Sequence, residues 1–269
     1  MSRRLVFTLL GTGSSGGVPR IGNDWGVCDP SEPRNRRGRC SALAELYAAP
    51  DSEPTRVLID TAPDMREQLL REEIGRLDAV VFTHDHADQT GGIDDLRVLA
   101  LRQRQRMPVH MDEPTASTLI RRVAYCFEGS GAYPSILDLQ PWLEPLTVRE
   151  IDGPAGELAI LPIEQTHGNI SSLGFRMGGL AYCNDLNAFP EESLNALEDL
   201  EVLIIDALRY TEHPSHANVE QAIAWVDALK PKRTVLTNMH IDLDYRTLER
   251  SLPTGVSPGY DGMRLEIPI

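Results

Sequence analysis

Thr83-His84-Asp85-His86-Ala87-Asp88-Gln89 is the stretch on which the reading of this sequence turns. The run before it, Asp78-Ala79-Val80-Val81-Phe82, is apolar, too short for a helix and bounded by polar residues, which predicts a buried strand. His84, His86 and Asp88 stand at alternate positions in a loop leaving that strand, so their side chains can converge on one point. Neutral imidazole suits zinc, manganese or iron, and a neighbouring carboxylate adds charge and positions water. The stretch therefore predicts a hydrolytic metal centre.

Other segments carry the same signature further along the chain. The strand Leu158 to Ile163 leads to Gln165-Thr166-His167, and the second strand of a Gly178-Gly179 hairpin ends at Asn184-Asp185. Val202-Leu203-Ile204-Ile205 ends at Asp206, and Val235 to Met239 ends at His240. Metal-ligating residue types thus recur where apolar strands stop, as a site built along one edge of a packed sheet requires. A lone histidine is more often a satisfied core or surface residue; the whole set is not explained that way.

Between these strands, Asp64 to Leu77, Gly91 to Leu101, Glu113 to Tyr125 and the segment after His216 carry helical apolar stripes. Gly11-Thr12-Gly13-Ser14-Ser15-Gly16-Gly17 follows a first strand, but Val18-Pro19 comes next instead of a helix, and no Lys-Ser/Thr ending is present. A tight turn that lets another backbone approach is favoured over a phosphate cradle. Residues 18–40 are irregular, and 126–157 are loop-rich with short strands.

The net charge of −14 and pI near 4.9 disfavour long nucleic acid and anionic membrane as partners. Two arginine clusters, Arg34 to Arg39 and Arg102 to Arg106, run against that balance; the first, in a Gly/Pro-rich loop, is a candidate phosphate contact. No apolar run is long enough to span a bilayer, and the start does not read as a signal peptide. Four scattered cysteines form no Cys-x-x-Cys pair, so a reduced, cytoplasmic setting is expected. With no repeat and no low-complexity linker, residues 1–269 are expected to form one domain.

Thr-His-Asp-His-Ala-Asp followed in order by His167, Asp185 and His240 resembles the metallo-β-lactamase superfamily. The likeness runs from Gly11-Thr12-Gly13-Ser14 to His240-Ile241-Asp242-Leu243-Asp244-Tyr245, and its branch resembles the PhnP-like phosphodiesterases, related to tRNA 3′-processing endonucleases. The resemblance implies an α/β fold, a four-layer αβ/βα sandwich with the metals at one edge between two sheets. It implies that His84, His86 and His167 form a first metal site, that Asp185 bridges, and that Asp88 and His240 belong to a second. The family pattern His-x-His-x-Asp-His ends here in Gln89, a poorer ligand, so one or two ions of zinc or manganese are expected. Clustered cysteines that would hold a structural zinc near Cys28 are missing, and none is expected.

The activity implied is hydrolysis of a small or cyclic phosphate ester. A divalent ion lowers the pKa of water from about 15.7 towards 7; Asp88 would orient the attacking water and His216 would protonate the leaving oxygen. Ser14, Arg37 and Arg39 are candidate substrate contacts. A tRNA endonuclease, a thioester or lactone hydrolase, a mononuclear iron role and a non-catalytic phosphate-binding protein stay open, as does a homodimer.

Overall fold

Strand-forming runs of period two, buried on both faces, build two sheets in the computed structural model, which describes residues 3–269; Met1 and Ser2 of the expected 1–269 domain lie outside the described residues. In chain order the first sheet is laid down by β1 (Arg4–Gly11), β2 (Ser41–Tyr47), β3 (Thr55–Ile59), β4 (Ala79–Val81), β5 (Met107–His110) and β6 (Leu137–Leu139). The second comprises β7 (Arg149–Ile151), β8 (Leu158–His167), β9 (Ile170–Met177), β10 (Leu180–Cys183), β11 (Val202–Asp206), β12 (Arg233–Thr237) and β13 (Val256–Pro258). A last strand, β14 (Met263–Pro268), returns to the first sheet, whose order is β14-β1-β2-β3-β4-β5-β6; the second runs β13-β12-β11-β10-β9-β8-β7.

Alternation decides which face each residue serves. Leu5, Phe7 and Leu9 of β1 and Val57 and Ile59 of β3 pack between the sheets, with Phe175 of β9, Tyr182 of β10, and Val202 and Ile204 of β11 from the second sheet. The intervening residues Leu43, Leu58 and Val80 point outward and are covered by α1 (Met65–Arg71), α3 (Leu96–Gln103) and α4 (Glu113–Arg122). On the far side Leu203, Ile205 and Leu236 meet Ala222 and Trp225 of α7 (Val219–Leu229) and Leu248 of α8 (Tyr245–Ser251). The layers are helix, sheet, sheet, helix, the arrangement the resemblance implied. Each fully buried Leu, Ile or Phe contributes roughly 1.5–3 kcal/mol.

Helix starts follow local chemistry. The Asp112 carboxylate accepts from Thr115 N at 2.9 Å, the Asn218 side chain from Gln221 N at 2.7 Å, and Asp244 from Thr247 N at 3.0 Å. Two expected helices are shorter than their stripes. The one expected over Asp64–Leu77 ends at Arg71, because Glu73 turns left-handed (φ 57°), although Ile74 and Leu77 still reach the core. The one expected over Glu113–Tyr125 breaks at Val123 (φ −133°, ψ 43°) and restarts as a short turn over Ala124–Glu128.

The glycine-rich turn is a point of close approach. A Cβ on Gly11 would stand 2.0 Å from the Arg39 carbonyl oxygen, and one on Gly13 would stand 2.9 Å from Arg37 Cβ. This brings the 37–39 segment beside the turn after β1. Among the described residues no helix is long and apolar enough to cross a membrane, and all four cysteines are unpaired and buried.

Candidate metal centre

Strands of both sheets deliver polar residues to one edge at their carboxyl ends. Asp60 follows β3, Thr83 and His84 follow β4, His167 ends β8, Asp185 follows β10, Asp206 ends β11 and Asn238 follows β12. Asp60, Asp185 and Asn238 all sit in the left-handed region, with φ of 62°, 54° and 62°. Such backbone is disfavoured for residues with a Cβ and persists only where the surroundings fix it. Leu173 N donates to Thr83 O at 2.8 Å, tying the second sheet to the histidine loop of the first.

Three imidazoles meet here. One ligand atom each of His84, His86 and His167 lies within 4.8 Å of the others, and His167 Nε2 is 3.3 Å from His86 Nδ1. His84 is oriented from behind. The Asp60 carboxylate accepts from Thr83 N and Thr83 Oγ1, each at 2.8 Å, and Thr83 Oγ1 lies 3.0 Å from His84 Nδ1. His84 Nε2 is left buried with no partner, and His167 Nδ1 is spent on Ser215 O at 2.7 Å, which points Nε2 into the cluster. Burial, then the neighbouring imidazoles, hold His84 well below the usual imidazole range; burial and His216 push His167 down to about 4. Unprotonated nitrogens facing one another with an orphaned buried lone pair are what a divalent cation requires, so these residues fit one.

Asp185 and His216 complete a second group with His167, again within 4.8 Å. Asp185 is 2 % exposed and ringed by N–H donors: Asn184 Nδ2 at 2.6 Å and Gln89 Nε2 at 2.9 Å on Oδ2, and Asn238 Nδ2 at 3.1 Å on Oδ1. His216 Nδ1 lies 2.8 Å from Asp206 Oδ2 and 3.5 Å from Asp185 Oδ1. Burial alone would lower His216, but the Asp206 and Asp185 carboxylates outweigh it and raise it to about 9. Asp60 is pushed the other way for an acid: burial outweighs its two Thr83 bonds and takes it to about 8.

Several expected site residues are placed otherwise. His240 does not join the imidazole cluster; its Nε2 meets the Arg20 guanidinium and its Nδ1 lies 2.9 Å from Asp242 Oδ2. Gln89 is fully buried and gives its amide N–H to Asp185, because an amide oxygen facing that carboxylate would be repelled; Oε1 is left without a partner. Asp88 is half-exposed, 3.5 Å from the Gln89 amide. Arg37 is not offered to a ligand: its side chain is buried, donating to Leu243 O at 2.7 Å, His240 O at 3.3 Å and Asn35 Oδ1 at 3.3 Å. Arg39 pairs with Asp64 at 3.0 Å, and Ser14 is buried with its N–H on Met239 O. Near Cys28, whose thiol lies 3.4 Å from Ile241 O, Arg37 ties the 28–37 loop to residues 240–245.

Asp60, Asn238 and Arg20 belong to the site without being among the residues that the sequence motifs point to, and Thr83, which opens the motif, is given no role there by the sequence. A strand ending in Asp or Asn is the available signal for Asp60 and Asn238; the Arg20 contact has no local signature.

Residues 55–241 match a family described as a β-lactamase superfamily domain. A solved structure described as a new diphosphatase from the PhnP family is 34% identical, covers 100% of this chain and 99% of its own, and superposes with a TM-score of 0.88. The chain belongs to the β-lactamase superfamily, in its PhnP branch. An octanoyltransferase of Porphyromonas gingivalis (strain ATCC BAA-308 / W83) is 33% identical over 259 residues, 95% of this chain and 50% of that protein. A ribonuclease Z of Bradyrhizobium sp. (strain ORS 278) is 35% identical over 124 residues, 45% of this chain and 39% of that protein. The chain thus spans half or less of the length of these curated relatives.

Proposed function

We propose that the chain is a metal-dependent phosphodiesterase acting on a small or cyclic phosphate ester. The observation that carries this reading is the convergence of His84, His86 and His167 on one point beside a His216–Asp206 pair. The cation, zinc or manganese, would be held by the three imidazoles with Asp185 beside them, and when bound it supplies Lewis acidity towards water and a phosphoryl oxygen.

The remaining work falls to the chain's own groups. Asp60 and Thr83 fix the ring of His84, and the Ser215 carbonyl fixes that of His167, so neither needs to reorganise on loading. Asp88, half-exposed in the histidine loop, is assigned to orient the attacking water. His216 keeps Nδ1–H on Asp206, which stabilises its imidazolium and leaves Nε2 to give a proton to the departing alkoxide. Likeness to a PhnP-family diphosphatase supports a phosphoryl substrate. The net charge of −14 supports a compact ester over a long nucleic acid, and so sets the endonuclease alternative second.

A second reading, hydrolysis of an acyl thioester, draws on the 33% identity to the octanoyltransferase. One experiment separates them: purified protein loaded in turn with zinc and manganese is offered bis-p-nitrophenyl phosphate, 2′,3′-cyclic nucleotides and an octanoyl thioester. Phosphodiester turnover abolished by a chelator is expected. Thioester turnover alone favours the second reading, and bound metal with no turnover of any of them refutes the hydrolase assignment.

A further inference from the structure

The geometry points to a centre that takes one divalent cation, not two, with Arg20 and Gln89 filling by N–H donors the second position that the family pattern provides. The inference rests on the metal reading above and narrows it.

The two convergent groups cannot both be filled. Both contain His167, whose Nδ1 is engaged by the Ser215 carbonyl at 2.7 Å, leaving one ring nitrogen with one lone pair. In the second group His216 Nδ1 is taken by Asp206 at 2.8 Å. An ion on His84, His86 and His167 therefore uses the only nitrogen of His167 that either group has to offer.

The residues expected around a second ion are engaged elsewhere. The Asp185 carboxylate receives three amide N–H groups, one of them from Gln89, which stands where the family pattern has an imidazole. An imidazole there would offer a lone pair; the Gln89 amide instead spends its donor on Asp185 and retains one neutral oxygen. His240 presents its Nε2 to the Arg20 guanidinium, and its Nδ1 lies 2.9 Å from Asp242 Oδ2. Of the residues expected there, Asp88 and the Gln89 oxygen are left, beside an Asp185 carboxylate already shared among three N–H donors, and without His240 this set offers no nitrogen ligand for a second ion.

Arg20 is built into this position. A Cβ on Gly16 would lie 3.2 Å from both Cγ and Nε of Arg20, so the glycine leaves the space across which the arginine stem runs. Arg20 N donates to Asp24 O at 2.9 Å, and Asp24 N returns to Arg20 O at 3.3 Å, closing the turn that carries it. A guanidinium is a permanent cation with a planar fork of donors, the chemistry that grips a phosphoryl oxygen. It thus supplies at the second position a fixed positive charge that no chelator removes.

Metal content decides the matter without reference to turnover. Protein equilibrated with excess zinc or manganese, then desalted, is measured by elemental mass spectrometry, and cobalt(II) binding is followed by visible absorption. One ion per chain and a cobalt titration ending at one equivalent are expected. Two ions per chain overturn this inference while leaving the hydrolase reading intact; no bound ion overturns both. The double substitution Gln89→His with Arg20→Ala is expected to bind two ions per chain, and a folded double variant that still binds one removes these residues from the explanation. Arg20→Ala alone, at a half-buried loop position, is expected to show a second cobalt equivalent where the parent titration ends at one, and an unchanged isotherm counts equally against it.

Discussion

Truncating Arg37 to alanine tests whether this arginine is a structural tie or a ligand contact. Its guanidinium, on a side chain 2 % exposed, donates to Leu243 O at 2.7 Å, His240 O at 3.3 Å and Asn35 Oδ1 at 3.3 Å. Hydrogen bonds from a charged donor contribute about 1.5–3 kcal/mol each, the two longer ones less; His240 O and Asn35 Oδ1 keep second donors in Leu243 N at 3.1 Å and Tyr245 N at 2.8 Å, so truncation leaves Leu243 O with only the long contact to the Cys28 thiol at 3.5 Å. Against this stands the cost of burying the guanidinium, which holds Arg37 below its ordinary range. The balance is a loss of about 3 kcal/mol, or roughly 6–12 °C in Tm for a chain of this size. Differential scanning fluorimetry and urea melts on the parent, Arg37→Ala and Arg37→Lys measure it, with lysine recovering less than half because one ammonium cannot reach three acceptors in a plane. An Arg37→Ala protein that melts within 2 °C or so of the parent while losing substrate affinity would refute the structural account and restore Arg37 as a substrate contact.

Replacing His216 by alanine is expected to lower kcat about 10²–10⁴-fold for a phosphodiester with an alkyl leaving group, and under about tenfold for a p-nitrophenyl ester, whose leaving oxygen needs no proton; equal losses on both would remove the proton-donor role. Glu32 is held at about 2 by its hydrogen bonds to Arg34, then Arg246, against an ordinary 4.5. Because the folded form binds fewer protons, this stabilisation is fully present above the ordinary value and lost as pH falls through about 2. Urea midpoints of Glu32→Gln should accordingly fall less steeply with acid than those of the parent. Gly11→Ala forces a Cβ to within 2.0 Å of the Arg39 carbonyl, and is expected to lower Tm by roughly 5–10 °C or to prevent folding.

How much is legible in the sequence follows from the range of the forces involved. Strand faces are set by a local period of two, so the sequence groups Leu5 with Phe7 and Val202 with Ile204 on common faces, but runs that are apolar on both faces do not say which face meets the other sheet; the fold puts these four in the inter-sheet layer. The six-residue alternation of β14 is equally readable in Met263-Arg264-Leu265-Glu266-Ile267-Pro268, but it lies beyond His240, the last of the ligand-type residues at a strand end, and carries no chemical signature of its own. Helix ends are less legible: the chain turns left-handed at Glu73, and Leu77 is then held by Gln103, whose side chain takes both its N–H and its carbonyl, a partner that only folding brings near. At the site, His84, His86, His167 and Asp185 carry a signal because residue type and strand end coincide. The bonding of Gln89, His240 and Arg37 carries none, since each depends on a partner that only folding brings near: Asp185, Arg20 and Leu243.

Anomalous diffraction from crystals grown with zinc, recorded on either side of the zinc edge, bears most directly on the account. A single peak bounded by His84, His86 and His167 is predicted. A peak on other residues, or none at full zinc saturation, would contradict it.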